Sequence, residues 1–119
     1  MHYVLLIYGD ESRALQMTAE EIQESRAAVM PEWTQLFEDM GKAGVIVEGN
    51  ELAMSGDART VRVRDGEQLV TDGPYAETKE ALGGFFLLDC ENLDQAIEWA
   101  ARVPLAKRGV IEVRPVVEH

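Results

Sequence analysis

Tyr3-Val4-Leu5-Leu6-Ile7-Tyr8, closed by Gly9-Asp10, is a continuous apolar run rich in aromatic and branched side chains. Such a run reads as a buried central strand, because strict alternation is lost where both faces are covered. A polar loop follows, and then Thr18-Ala19-Glu20-Glu21 has the form of a capping box. The threonine hydroxyl can accept the Glu21 amide while the Glu21 carboxylate accepts the Thr18 amide. Beyond it, Ile22, Arg26, Val29, Trp33, Leu36, Phe37 and Met40 recur at spacings of three and four, one stripe on a long helix. Lys42 supplies a cation for the last turn and Gly44 a left-handed stop. Pro31 lies inside this stretch. It removes one backbone donor and clashes with the carbonyl four residues earlier, which predicts a kink or two abutting helices.

Outward from that β-α unit, Val45-Ile46-Val47 predicts a short strand broken by Gly49-Asn50. Thr60 to Arg64 alternates, with Val61 and Val63 on one face and Arg62 and Arg64 on the other. Asp65-Gly66 then signals a tight hairpin returning through Gln68 to Thr71. Asp72-Gly73-Pro74 is a rigid turn, and Ala76 to Ala81 is expected to form one helical turn. Leu82 to Leu88 reads as another buried strand carrying Gly83-Gly84. Asn92 caps a second helix, with Gln95 in the capping-box position and Leu93, Ala96, Ile97 and Ala100 expected inward. Pro104 ends that helix, and Val110 to Val113 forms the last strand.

The order is β-α-β, a hairpin, then β-α-β. It predicts an α+β fold of the ferredoxin-like split β-α-β kind with an inserted β-hairpin. Helices then cover only one face of the sheet. Val4, Leu6, Phe85, Leu87, Ile111 and Val113 are too many apolar strand residues for one helical layer, so a second copy is the expected cover and a homodimer the expected state.

The 119 residues are expected to form a single domain, 1–119, without repeats or a linker. Eleven basic against twenty-two acidic residues give a net charge of −11, which disfavours nucleic acid and anionic membrane as partners. No apolar run approaches a membrane span, and the first residues lack the pattern of a signal peptide. Cys90 is the only cysteine, so no internal disulfide can form and a cytoplasmic location is expected. With one cysteine and with His2 and His119 at the two ends, no metal site is expected, and no cofactor. Gly83-Gly84 lacks the strand-then-helix context of a dinucleotide site.

The run Asp72-Gly73-Pro74-Tyr75-Ala76-Glu77-Thr78-Lys79-Glu80-Ala81-Leu82-Gly83-Gly84-Phe85 resembles the YCII-related family. It is similar in particular to the branch known for an Asp-Gly-Pro-Phe signature, with Tyr75 in place of phenylalanine. Tyr3 to Asp10, Thr60 to Gly66 and Ile111 to Pro115 carry the same resemblance, which spans nearly the whole chain. It implies a dimeric α+β barrel. The founding branch pairs a first-helix histidine with an aspartate before a proline after the second helix. Here Glu32 stands near the histidine position and Val103 precedes Pro104, so neither founding residue is present. Relatives in other branches act on chlorinated aromatic ring compounds, and genes of this branch often neighbour alternative sigma factors. The resemblance thus points to a small ring compound as ligand and to a sigma factor as a partner class.

Asp72 is the leading catalytic candidate, a carboxylate held in a stiff turn at a strand end where a base or acid gains from positioning. The competing reading is an Asx-turn in which it accepts backbone amides. Glu32 is the second catalytic candidate, set against a solvated helix face. Tyr75, Glu77 and Lys79 could shape a polar site around Asp72, with Lys79 on an anionic group, or form a charged surface turn. Tyr8 and Asp10 share a strand face at a sheet end, where a phenol and a carboxylate can hold a polar substrate. Arg114 shares its face with Glu112, as a ligand contact or as a simple ion pair. Gly83-Gly84 admits either a bulge or the close approach of a ligand. Two functions compete on these residues. One is a cofactor-independent binding protein or enzyme, transferring protons on a small ring compound in lyase or isomerase style. The other is a non-catalytic regulatory module whose acidic surface meets a basic protein partner.

Overall fold

The computed structural model describes residues 1–119. Its elements are β1 (His2–Asp10), α1 (Ser12–Leu15), α2 (Ala19–Ala43), β2 (Ile46–Glu51), β3 (Arg59–Arg64), β4 (Glu67–Asp72), β5 (Glu80–Asp89), α3 (Leu93–Ala101) and β6 (Val110–Pro115). Short 3-10 turns occupy Ser55–Asp57 and Pro104–Lys107. The class is α+β. Four strands form one sheet in the order β2-β5-β1-β6, every neighbouring pair antiparallel, and β3-β4 form a separate two-stranded ribbon.

The local chemistry explains where elements start and stop. At the start of α2, the Glu21 amide donates to Thr18 Oγ1 at 3.1 Å and the Thr18 amide donates to Glu21 Oε1 at 3.1 Å. Gly44 closes the helix at φ 68°, a conformation glycine adopts without steric cost. Between them one helix runs through Pro31, so two abutting helices do not occur. Both Pro31 and Ala27, whose carbonyl loses its partner, are exposed, and water can satisfy that oxygen. In the ribbon, Asp65 at φ 51° and Gly66 at φ 78° give the tight turn that the Asp-Gly pair announced.

Four local expectations are corrected. β2 continues through Gly49-Asn50. A Cβ on Gly49 would come within 2.5 Å of the Phe86 ring, so this glycine makes room for an aromatic side chain on the neighbouring strand. Residues 76–79 are not helical; Glu80 and Ala81 instead pair with Asp10 and Gly9, and the β1-β5 ladder takes them up. In α3 the Gln95 amide donates to Asn92 Oδ1 at 2.9 Å, but the Gln95 side chain accepts from Glu91 rather than Asn92. Ala96 and Ala100 are buried there, while Leu93 and Ile97, one row round the helix, are exposed.

The core lies on one face of the four-stranded sheet. Tyr3, Leu5 and Ile7 of β1 and Phe86 and Leu88 of β5 pack with Leu36 and Met40 of α2, Ala96 and Ala100 of α3, and Val103. The alternate strand residues, Val4, Leu6, Phe85 and Leu87, point to the other face and are only half-buried. On the ribbon, Val61, Val63 and Val70 share a face and are exposed. The molecule is a slab of 47 × 46 × 18 Å with a radius of gyration of 16.4 Å, where a compact chain of this length has about 13.5 Å. Its accessible surface is 8456 Å², against about 6400 Å² for a compact monomer of this mass. No helix is long and apolar enough to cross a membrane.

Candidate functional site

A cavity of about 370 Å³ opens between α2 and the sheet. Its origin is a mismatch in side-chain size. On the helix side stand Val29, Met30, Trp33 and Phe37; on the sheet side Gly49, Gly83 and Gly84 present backbone only, beside Phe86 and Ile7. Gly83 is the unpaired residue of a bulge, where the β1-β5 register steps from Ile7–Gly84 to Tyr8–Leu82. A Cβ on Gly84 would lie 3.0 Å from the Asn50 carbonyl oxygen, so a larger residue there would have to push the β2 backbone back by a few tenths of an ångström. Pro104, Leu105 and Arg108 wall off one end.

Aromatic rings give the cavity a fixed shape. Trp33 stacks on Phe37 with centroids 5.9 Å apart, Phe37 meets Phe86 edge-on at 5.9 Å, and Trp33 lies 6.2 Å from Phe86. Rings so arranged hold one another and present flat apolar surface to an occupant. Three charged residues line the wall, Arg26, Glu51 and Arg108. Arg26 of α2 grips Glu51 of β2 through two bonds of 2.8 Å each. Those guanidinium bonds hold the Glu51 carboxyl below its ordinary range. Arg108 is in none of the ion pairs of the molecule. No three His, Cys, Asp or Glu side chains converge as metal ligands would.

A second polar group sits on the opposite sheet face. The Tyr8 hydroxyl donates to Glu112 Oε1 at 3.2 Å, and Arg114 Nη2 donates to Glu112 Oε2 at 2.7 Å. The Arg114 bond depresses the Glu112 carboxyl, while partial burial and then the bond to Glu112 raise the Tyr8 phenol. Tyr75 and Lys79 come near this end of the sheet, Tyr75 in the neighbourhood of Tyr8 and Lys79 near enough to Asp10 for its charge to add to the lowering of that carboxyl. Asp10 accepts from the Ser12 amide at 2.9 Å and its hydroxyl at 2.6 Å, bonds that lower its carboxyl pKa.

The sequence-predicted residues therefore divide. Tyr8 and Arg114 meet through Glu112, with Asp10, Tyr75 and Lys79 at the same end. Glu77 is exposed. Asp72 stands apart at the end of the ribbon, its side chain 90% exposed and 3.1 Å from Arg59 Nε. Glu32 is 53% exposed and 3.5 Å from Lys107 Nζ. None of these eight lines the aromatic cavity. The residues that do, Arg26, Glu51 and Arg108, carried one signal in the sequence: Arg26 is the single charge on the apolar stripe of α2. Cys90 is buried, and that burial raises its thiol pKa.

The model of the YCII-related domain matches residues 1–119. Among curated proteins, the uncharacterized protein R00369 of Rhizobium meliloti (strain 1021) is 37% identical over 118 residues, covering 98% of this chain and 92% of that protein.

Proposed function

The chain belongs to the YCII-related family, and from that premise we propose that it binds a small ring compound, without a cofactor, in the cavity between α2 and the sheet. The observation that carries this reading is the volume of about 370 Å³ lined by Trp33, Phe37 and Phe86. Its size and its mostly apolar wall with a few convergent polar groups are those of small-molecule sites. In a catalytic version, proton transfer in isomerase or lyase style falls to Glu51, the one carboxylate on the wall. The run Asp72-Gly73-Pro74-Tyr75 supports placing the chain in the Asp-Gly-Pro-Phe branch of the family.

The working unit in this reading is a cytoplasmic homodimer. The strand order β2-β5-β1-β6, with α2 and α3 as connections, supports a ferredoxin-like split β-α-β with the β3-β4 hairpin inserted. The half-buried Val4, Leu6, Phe85 and Leu87, together with a surface about 2000 Å² above that of a compact monomer, support a second copy on the open face as in a dimeric α+β barrel. Burying it on both copies would remove about 4000 Å² in total, within the range of obligate dimers. In such a dimer Tyr8, Glu112 and Arg114 lie at the interface as a polar network. Sedimentation at micromolar concentration should give twice the 13.2 kDa chain mass; a stable monomer contradicts the dimer.

The binding reading is tested by a thermal-shift screen against small aromatic and carboxylate metabolites, run beside Val29→Trp, a variant that fills the cavity. A ligand of the native state raises the melting temperature. The expected result is a hit whose shift vanishes in the filled variant. A screen with no hit contradicts the reading and favours the other one, a non-catalytic module whose charge of −11 meets a basic protein such as a sigma factor.

A further inference from the structure

The cavity differs in charge from the molecule around it. The chain carries −11 overall, yet the charged groups on the cavity wall, Arg26, Glu51 and Arg108, sum to +1. Glu51 is neutralised by the bidentate grip of Arg26 at 2.8 Å. Arg108 is the one charged residue on that wall with no ion-pair partner. An unpaired arginine on the wall of a cavity that also carries Trp33, Phe37 and Phe86 is matched by an anion with an apolar body.

We propose that the cavity selects a monoanionic aromatic carboxylate, its ring against Trp33, Phe37 and Phe86 and its carboxylate on Arg108. The inference rests on the binding reading above and adds the charge and class of the ligand. One free guanidinium suits a singly charged group, because the second arginine is already satisfied by Glu51. A planar carboxylate fits the fork of an arginine with two parallel hydrogen bonds. The bulge at Gly83 and the bare backbone at Gly49 and Gly84 leave flat space for a ring on the sheet side.

The test compares 2-naphthoate with 2-naphthamide, which share a ring system and differ in charge, by titration calorimetry on the full chain. The wild type is expected to bind naphthoate about tenfold or more tightly than the amide, the scale of a charged hydrogen bond. Arg108→Gln should bring naphthoate down to the level of the amide, leave the amide unchanged, and leave the melting temperature unchanged because Arg108 is exposed and unpaired. Arg108→Lys should restore part of the difference, and added salt should weaken naphthoate alone. Equal affinities for the two probes, unmoved by Arg108→Gln but lost in Val29→Trp, overturn the charge selection while the cavity remains a binding site. Naphthoate binding that survives Val29→Trp puts the ligand elsewhere and overturns both readings. Absence of binding by either probe at millimolar concentration overturns the proposal as well.

Discussion

The two halves of α2 carry one apolar stripe and meet the sheet differently. Toward the C-terminus, Leu36 is 1% exposed and Met40 is fully buried, both packed in the core with Phe86 and Leu88. Toward the N-terminus, Val29 is only half-buried, Met30 is exposed, and the helix stands off the sheet across a cavity. Val29 and Met30 are as apolar as Leu36 and Met40. What differs is the facing strand, which offers bulky side chains below Leu36 and Met40 and glycines 49, 83 and 84 below Val29 and Met30. Apolar periodicity thus decides that a helix docks, and the opposing residues decide whether the contact becomes core or cavity.

That contrast can be broken by the same substitution made twice. Met40→Ala removes a buried side chain from close packing and should destabilise the protein by about 2–5 kcal/mol in denaturant unfolding. Met30→Ala, ten residues earlier on the same helix, should change stability by no more than about 0.5 kcal/mol, as surface positions do. Equal costs would mean that the two halves pack alike.

Gly49 sharpens the role of the bare backbone. Gly49→Val drives a side chain against the Phe86 ring, a contact already under 3 Å for a Cβ alone. The expected cost is about 1–3 kcal/mol, the range for overpacking, with weaker binding of any cavity ligand as Phe86 is displaced. A neutral effect would show that the glycine is not there to admit the ring.

Smaller still is the Arg26–Glu51 pair that ties the loose half of α2 to β2. Both side chains are more than half exposed, so Glu51→Gln should cost at most about 1 kcal/mol. Because the bonds from Arg26 depress the Glu51 carboxyl, the pair stabilises the fold above the ordinary glutamate range. That contribution disappears as pH falls through the depressed folded value. Wild type and Glu51→Gln should therefore differ near neutral pH and converge in acid; a difference that persists in acid would assign the effect to packing. The smallest effect belongs to Asp72→Asn. With its carboxylate in solvent beside Arg59, it should shift stability by no more than about 0.5 kcal/mol and leave cavity binding unchanged.

Local chemistry was legible in the sequence wherever one short segment decides the outcome. Thr18 and Glu21 marked the start of α2, Gly44 its end, and Asp65-Gly66 the hairpin turn, because each satisfies its own backbone within a few residues. The apolar run at Tyr3 likewise marked a central strand. The site was less legible, because it depends on which strands become neighbours. Asp72 and Lys79 are close in sequence, yet Asp72 ends the ribbon while Lys79 comes near Asp10 at the end of the main sheet. Gly49 read as a strand breaker because its use, making space for Phe86, is visible only once β2 and β5 are paired. Leu93 and Ile97 read as inward because the α3 pattern alone does not say which of two adjacent rows the sheet will take.

The claim that the loose half of α2 is a binding site meets its most direct test in the two tryptophan indole N–H resonances of a ¹⁵N-labelled sample. Trp33 lines the cavity, while Trp99 lies on α3 with the Arg102 guanidinium 5.2 Å from its ring and takes no part in the cavity. Titration with an aromatic carboxylate should move the Trp33 indole peak along a saturating curve and leave the Trp99 peak in place. A Trp33 peak that stays fixed while amides of the open sheet face or the ribbon shift would contradict the account.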